Sequence, residues 1–357
     1  MNNLDFADFY KGKKVLITGD TGFKGSWLAY WLNLLGAEVI GYALPPENDL
    51  FNILNLTDHI THVDGDLLDL EKLNATFQQH QPEVVFHLAA QALVRLSYDE
   101  PKLTFDTNVG GSVNMMEAVR HCKSVRSVIY VTSDKCYKNK EWVYGYRETD
   151  ELGGHDPYSA SKAAAEIVFS SYRDSFFKEN KNIGLASVRA GNVIGGGDWA
   201  KDRIVPDCMK ALENNEKIKI RNPLSTRPWQ HVLEPLSGYM LLAMKQYHEP
   251  IKFSGSWNFG PDHTAIKTVE ELAHTIIKNY GSGSLHINTN DSQKHEASLL
   301  HLNCDKTNFE LQWQPTWSFE DTIKHTVEWY IGLNEGEDPR KLTEQNILTF
   351  SDNARSN

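Results

Sequence analysis

The sequence predicts an α/β protein built on a doubly wound parallel sheet, with a smaller C-terminal lobe. Three observations predict it. Short apolar runs alternate with helical-period stretches from residue 13 to about residue 190. The first run feeds a glycine-rich turn, Gly19-Asp20-Thr21-Gly22-Phe23-Lys24-Gly25, that leads into a helix. Beyond Ala190 the texture changes to a loop-like Gly191 to Asp198, followed by Arg203, Arg221 and Arg227.

The bulk properties bound what such a chain can do. A chain of 357 residues, 40% of them apolar, can bury a sizeable core. The net charge of -11 argues against a general nucleic-acid or anionic-membrane surface, although a local Arg cluster can still meet an anionic small molecule. No stretch approaches a membrane span, and no signal peptide is evident. Cys122, Cys136, Cys208 and Cys304 are scattered without a C-x-x-C pair. That pattern suits free thiols in a reducing cytoplasm better than a disulfide frame or a zinc site, so no metal is expected.

Residues 13–18 read as a buried strand, and Trp27, Leu28, Trp31, Leu32 and Leu35 follow helical spacing until Gly36 stops the helix. The G-x-x-G-x-x-G turn between them suits a dinucleotide. Its glycines allow close backbone approach to a pyrophosphate, and the helix start offers free N–H groups. Residues 37–43 form the second strand. The acid that commonly ends this strand and holds the ribose hydroxyls is absent, and no Arg stands there for a 2′-phosphate. NAD and NADP are therefore not distinguished at this position. Residues 60–63 read as the third strand. Asp66 follows, placed either to reach an adenine amino group or simply to enter a helix.

A helix over 70–81 stops before Pro82, and strand 83–88 opens into Ala89-Ala90-Gln91, where small residues let backbone lie against a flat cofactor. His87 reads as a satisfied strand-end histidine. A helix containing Asn108, Met115 and Val119 follows. Strand 128–131 then ends in Thr132-Ser133-Asp134-Lys135. A hydroxyl, a carboxylate and an amine thus stand beyond the carboxyl end of a strand, where ligands sit in open parallel sheets.

Asp156 and Pro157 make a helix start, and Tyr158 and Lys162 share one face of that helix a turn apart. The ammonium is expected to lower the phenol pKa from about 10, so that the phenol takes a proton from a sugar hydroxyl as hydride leaves the same carbon. Residues 183–189 give a sixth strand, with one later strand at 257–259. The expected division is a dinucleotide-binding domain over 1–190 and a mainly substrate-binding lobe over 191–340. One segment near 228–260 is expected to return to the sheet, and 341–357 to form a polar, poorly ordered tail. In the lobe a helix starts near Arg203. Arg221 and Arg227 flank a loop that leads to Trp229, a pairing that suits phosphate recognition beside a stacked base.

Four motifs in this order carry a resemblance: Thr18-Gly19-x-x-Gly22-Phe23-x-Gly25, Asp64-Gly65-Asp66-Leu67, His87-Leu88-Ala89-Ala90 and Tyr158-x-x-x-Lys162. Over roughly residues 12–330 the chain resembles the extended short-chain dehydrogenase/reductase family, whose fold is the Rossmann sheet. Ser133-Asp134-Lys135, Gly41-Tyr42-Ala43-Leu44-Pro45 and Arg189-Ala190-Gly191-Asn192 make it similar to the nucleotide-sugar 4,6-dehydratase branch that uses CDP-glucose. Many members of the wider branch have Thr-Asp-Glu where this chain has Ser133-Asp134-Lys135, and there the Glu takes the C5 proton.

The resemblance implies NAD held by Gly19, Thr21, Gly22, Phe23, Lys24, Gly25, Asp66, Leu67, Leu88, Ala89, Ala90, Asn108, Tyr158 and Lys162. It implies a CDP-glucose substrate held by Gln91, Asn192, Arg203, Arg221, Arg227 and His295. In the implied chemistry, Tyr158, aided by Lys162 and Ser133, takes the 4-hydroxyl proton as C4 hydride passes to NAD. Asp134, kept protonated by burial, protonates the departing 6-hydroxyl, and hydride returns to C6. Lys135 either takes the C5 proton, which needs a pKa lowered by desolvation, or orients a water or stabilises the enolate. A homodimer or dimer of dimers, paired through helices starting near Pro101 and Pro157, is implied too. Two rivals explain less. A 4-epimerase shares Tyr158 and Lys162 but has no need of Asp134 and Lys135, and a non-catalytic dinucleotide sensor need not keep the Tyr-Lys pair.

Overall fold

Seven strands form one wholly parallel sheet because their side chains are apolar enough to be covered on both faces. The computed structural model describes residues 6–47, 50–200, 203–287 and 299–356. In chain order the strands are β1 (Lys14–Thr18), β2 (Glu38–Ala43), β3 (Thr61–Asp64), β4 (Val84–His87), β5 (Ser127–Val131), β6 (Gly184–Ala190) and β7 (Gly255–Phe259). Their spatial order is β7-β6-β5-β4-β1-β2-β3. The order reverses between β1 and β4, which run side by side from Val15 opposite Val84 to Thr18 opposite His87. A crevice must open beyond their carboxyl ends, because the connections leave there in opposite directions.

One apolar layer covers each face. Trp27, Trp31 and Leu32 of α1 (Phe23–Leu34) pack on one face with Leu236 and Met240 of a helix at Leu233–His248. The other face carries Leu73 and Phe77 of α2 (Leu70–His80), Met115 and Val119, and Ala165 and Phe169. Met115 and Val119 belong to a helix that starts at α3 (Pro101–Phe105), passes a wide turn at Asp106–Gly110 and continues as α4 (Gly111–His121). Ala165 and Phe169 lie on α5 (Pro157–Tyr172). Asp156 caps α5 by accepting from Ser159 N at 2.9 Å, with Pro157 at the first helical position. Such a cap contributes about 1 kcal/mol.

The lobe hangs on three short strand pairs. Val193–Ile194 joins Gln230–His231, Thr226–Pro228 joins Ile266–Thr268, and Ile218–Ile220 joins Leu285–Ile287. Helices α6 (Ile204–Glu213), α8 (Val269–Tyr280) and α9 (Phe319–Asn334) complete it, while α7 (Leu233–His248) between them returns to the face of the sheet.

The expectation of a poorly ordered tail is corrected. Residues 339–356 form an eighteen-residue helix, α10 (Pro339–Ser356), with Ile347, Phe350 and Ala354 buried. Phe350 packs edge-on against Trp31 and Trp317, and Trp329 Nε1 donates to Thr343 Oγ1 at 3.1 Å. No described helix is long and apolar enough to cross a membrane.

Candidate functional site

Close backbone contacts shape the glycine turn. Gly19 has φ +78°, and a Cβ there would stand 2.7 Å from the Ala89 backbone nitrogen. At Gly25 a Cβ would stand 2.0 Å from the Gly19 carbonyl oxygen. The turn can therefore lie against the end of β4, with the twelve-residue α1 starting behind it. Approachable backbone at the start of a helix fits a dinucleotide's pyrophosphate. Gly19, Thr21, Gly22, Phe23, Lys24 and Gly25 line a cavity of about 1470 Å³, together with Asp66 and Leu67 after β3 and Leu88, Ala89 and Ala90 after β4.

Asp20 turns inward from the glycine turn and presses on the middle of β2. The wholly buried carboxylate of Asp20 fills the space over Gly41, where a Cβ would stand 1.9 Å from Oδ2, and it bonds His62 Nδ1 at 2.6 Å. This acid holds the turn and does not face the cavity.

The reactive groups meet where β5 ends and α5 begins. Ser133 Oγ donates to Asp134 Oδ1 at 3.0 Å, and Lys135 Nζ stands 3.9 Å from the same oxygen. The Ser133 hydroxyl lies near the phenol of Tyr158 and favours its ionised form. All five of Ser133, Asp134, Lys135, Tyr158 and Lys162 line the cavity. One electrostatic expectation reverses. Burial pushes the Tyr158 phenol up to about 12, with the Asp134 charge adding to the rise, while Ser133 and Arg203 pull the other way. Burial also draws Lys162 down to about 8, against the opposing charge of Glu166. Desolvation is the largest cause of both shifts. Lys24 is drawn to about 8 as well, by burial and then by the charges of Lys162 and Arg203.

The lobe brings Asn192, Arg203, Arg221 and Arg227 to the cavity lining with Trp229. Arg203 is held by Asp198 at 2.8 Å, an anchor the sequence did not signal. Two expected contacts are not brought to the cavity wall. Gln91 spends its amide on Thr104 Oγ1 and Leu93 N, and Asn108, which is buried, binds the Gln91 backbone and Ser161 Oγ. Both brace α3 and α5. His295 lies outside the described residues. His87 is a core residue: it shares a hydrogen bond with Thr18 Oγ1 at 2.7 Å, and burial draws it down to about 3. Among the described residues no three His, Cys, Asp or Glu side chains gather as a metal site.

Comparison with known proteins adds to this geometry. Residues 16–326 match the family model described as GDP-mannose 4,6-dehydratase. The chain is 50% identical over 349 residues to CDP-glucose 4,6-dehydratase of Salmonella typhimurium, covering 96% of this chain and 97% of that one. It is 24% identical to dTDP-glucose 4,6-dehydratase of Shigella flexneri, covering 89% and 92%. Among solved structures, dTDP-glucose 4,6-dehydratase of Bacillus anthracis in complex with NAD superposes with a TM-score of 0.76 at 21% identity, over 92% of this chain and 100% of that one. UDP-glucose 4-epimerase of Thermotoga maritima gives 0.79 at 23% identity, over 90% and 99%.

Proposed function

Because the chain belongs to the GDP-mannose 4,6-dehydratase family of extended short-chain dehydrogenase/reductases, we propose that it is an NAD-dependent CDP-glucose 4,6-dehydratase. It converts CDP-D-glucose to CDP-4-dehydro-6-deoxy-D-glucose, a step of deoxysugar biosynthesis. The 50% identity to the Salmonella enzyme over nearly the whole of both chains carries this reading. The acid and amine beside Ser133 support dehydration over epimerisation, which needs neither.

NAD, when bound along the glycine turn, supplies the hydride acceptor at C4 and the hydride donor at C6. Tyr158 takes the proton of the 4-hydroxyl. Since the phenol is protonated at neutral pH in the protein alone, its base form depends on the groups that favour it, Ser133 through its hydroxyl and Arg203 by charge. The 4-ketone acidifies the C5 hydrogen, and Asp134 protonates the departing 6-hydroxyl. That step calls on Asp134 in its carboxylic acid form, and Lys135 beside it either receives the C5 proton as a neutral amine or as an ammonium stabilises the enolate. Arg203, Arg221 and Arg227 on the cavity lining suit the diphosphate, while Trp229, expected to stack on the base, is buried in the core with its indole N–H on the Lys267 carbonyl.

The four cysteines are free thiols, which supports a cytoplasmic setting. Leu103 and Phe105 on α3 and Ile167 on α5 are exposed apolar side chains, and they favour a homodimer paired through these helices.

Incubation with CDP-, dTDP-, UDP- and GDP-glucose, without added reductant, tests the substrate. A 4-keto-6-deoxy product is expected from CDP-glucose, at least about tenfold faster than from the others. Turnover of a different nucleotide sugar alone would displace CDP-glucose, and a 4-epimer would displace the dehydratase.

A further inference from the structure

Beneath the reactive side chains lies a buried ion pair that the chemistry above does not use. Glu166, on α5 one turn beyond Lys162, and Arg189, near the end of β6, are both almost fully buried. Arg189 donates from Nε and Nη2 to the two oxygens of Glu166, at 2.9 and 2.8 Å. The same carboxylate accepts from Thr132 Oγ1, and from Ser187 Oγ at 2.8 Å. Arg189 Nη1 reaches on to the hydroxyl of Tyr137 at 2.7 Å and the carbonyl of Glu148 at 3.1 Å. Tyr137 in turn donates to Asn258 Oδ1 at 2.8 Å. One pair thus grips the residue before Ser133 and the residue two beyond Lys135, and ties both to α5 and β6.

A buried ion pair adds little net stability, because desolvation of two charges offsets most of their attraction. Its position suggests a different use. The titratable groups whose charges act on or feel Lys162 come from four elements: Glu166 on α5, Cys136 after β5, Lys24 on α1 and His87 on β4, with Tyr158 a turn away on α5. Burial keeps the Cys136 thiol and the His87 ring neutral, and Lys24 is cationic or neutral. Among these described groups Glu166 is the anion.

We propose that the Glu166–Arg189 pair is a positioning element of the reaction: through Thr132 and Tyr137 it fixes the Ser133-Asp134-Lys135 segment, and its carboxylate, one turn from Lys162 on the same helix, favours the ammonium form of that lysine. This rests on the dehydratase reading. Tyr158 acts as a base only as a phenolate, and an ammonium on Lys162, a turn away on the same helix face, favours that form. A carboxylate one turn from Lys162 favours the ammonium over the neutral amine.

The test uses full-length protein and needs no substrate. Lys162 is labelled with acetic anhydride across pH 6–10, and its modification is read by mass spectrometry, since the rate follows the unprotonated amine. Glu166→Gln is expected to move the midpoint down by about one pH unit, so that labelling at pH 7 quickens about fivefold. Glu166→Asp, which keeps the charge, is expected to hold the midpoint. If Glu166→Gln fails to fold, the double variant E166Q/R189M removes both charges and leaves no lone buried ion. Its shift is expected in the same direction but smaller, since Arg189 offsets part of the carboxylate's charge and is removed with it. A midpoint that stays at the wild-type value in whichever variant folds overturns the proposal. Failure of the dehydratase reading shows separately, as wild-type protein inert toward CDP-glucose.

Discussion

Tyr158→Phe is expected to lower CDP-glucose turnover by about 10³-fold while dinucleotide binding persists. General acid–base groups are worth 10²–10⁴ in rate, and this substitution removes the proton carrier alone. The ring keeps its buried place. The start of α5 is held without the phenol, by the Asp156 cap and by Tyr158 N donating to Ser97 Oγ at 3.2 Å. Loss of the hydroxyl is expected to cost no more than about 1 kcal/mol of stability, too little to unfold a chain of this size. Unchanged turnover in a folded variant with dinucleotide bound would remove Tyr158 from proton transfer.

Asp134→Asn is expected to cut product formation by about 10²- to 10³-fold and to stall the reaction part-way. The amide matches the carboxylate in shape and can still accept from Ser133 Oγ, so the segment after β5 keeps its form. Oxidation at C4 does not call on this residue, whereas loss of the 6-hydroxyl does. Absorbance at 340 nm should therefore rise on addition of CDP-glucose and persist, where wild-type protein shows little net change. Full product formation would remove Asp134 from the acid role. Loss of the 340 nm signal together with product would place it in the C4 step.

Much of the frame was legible because it follows from local rules. The apolar runs of β1, β4 and β5 can only be covered on both faces. The glycine spacing before α1 is dictated by backbone contact, and Asp156-Pro157 starts a helix wherever apolar periodicity follows. What stayed hidden depends on distant partners. Residues 341–357 are polar on average, and the spacing of Ile347, Phe350 and Ala354 gains meaning only when Trp31 and Trp317 supply a surface to pack on. Gln91 and Asn108 are amides at plausible positions, and their use depends on a pairing across α3 and α5. The sign of the Tyr158 shift turned on how deeply both members of the Tyr-Lys pair are buried, which spacing on a helix does not reveal. Nor does the sequence show that Asp20 folds inward over Gly41 to meet His62.

The most direct test of the whole account follows a single hydrogen. CDP-glucose carrying deuterium at C4 is incubated with the protein in ordinary water, and the product is read by mass spectrometry and NMR. The account predicts deuterium at C6 of a 4-keto-6-deoxy sugar, with the hydrogen at C5 drawn from solvent. Deuterium retained at C4 of an epimer, or lost to water, would contradict it.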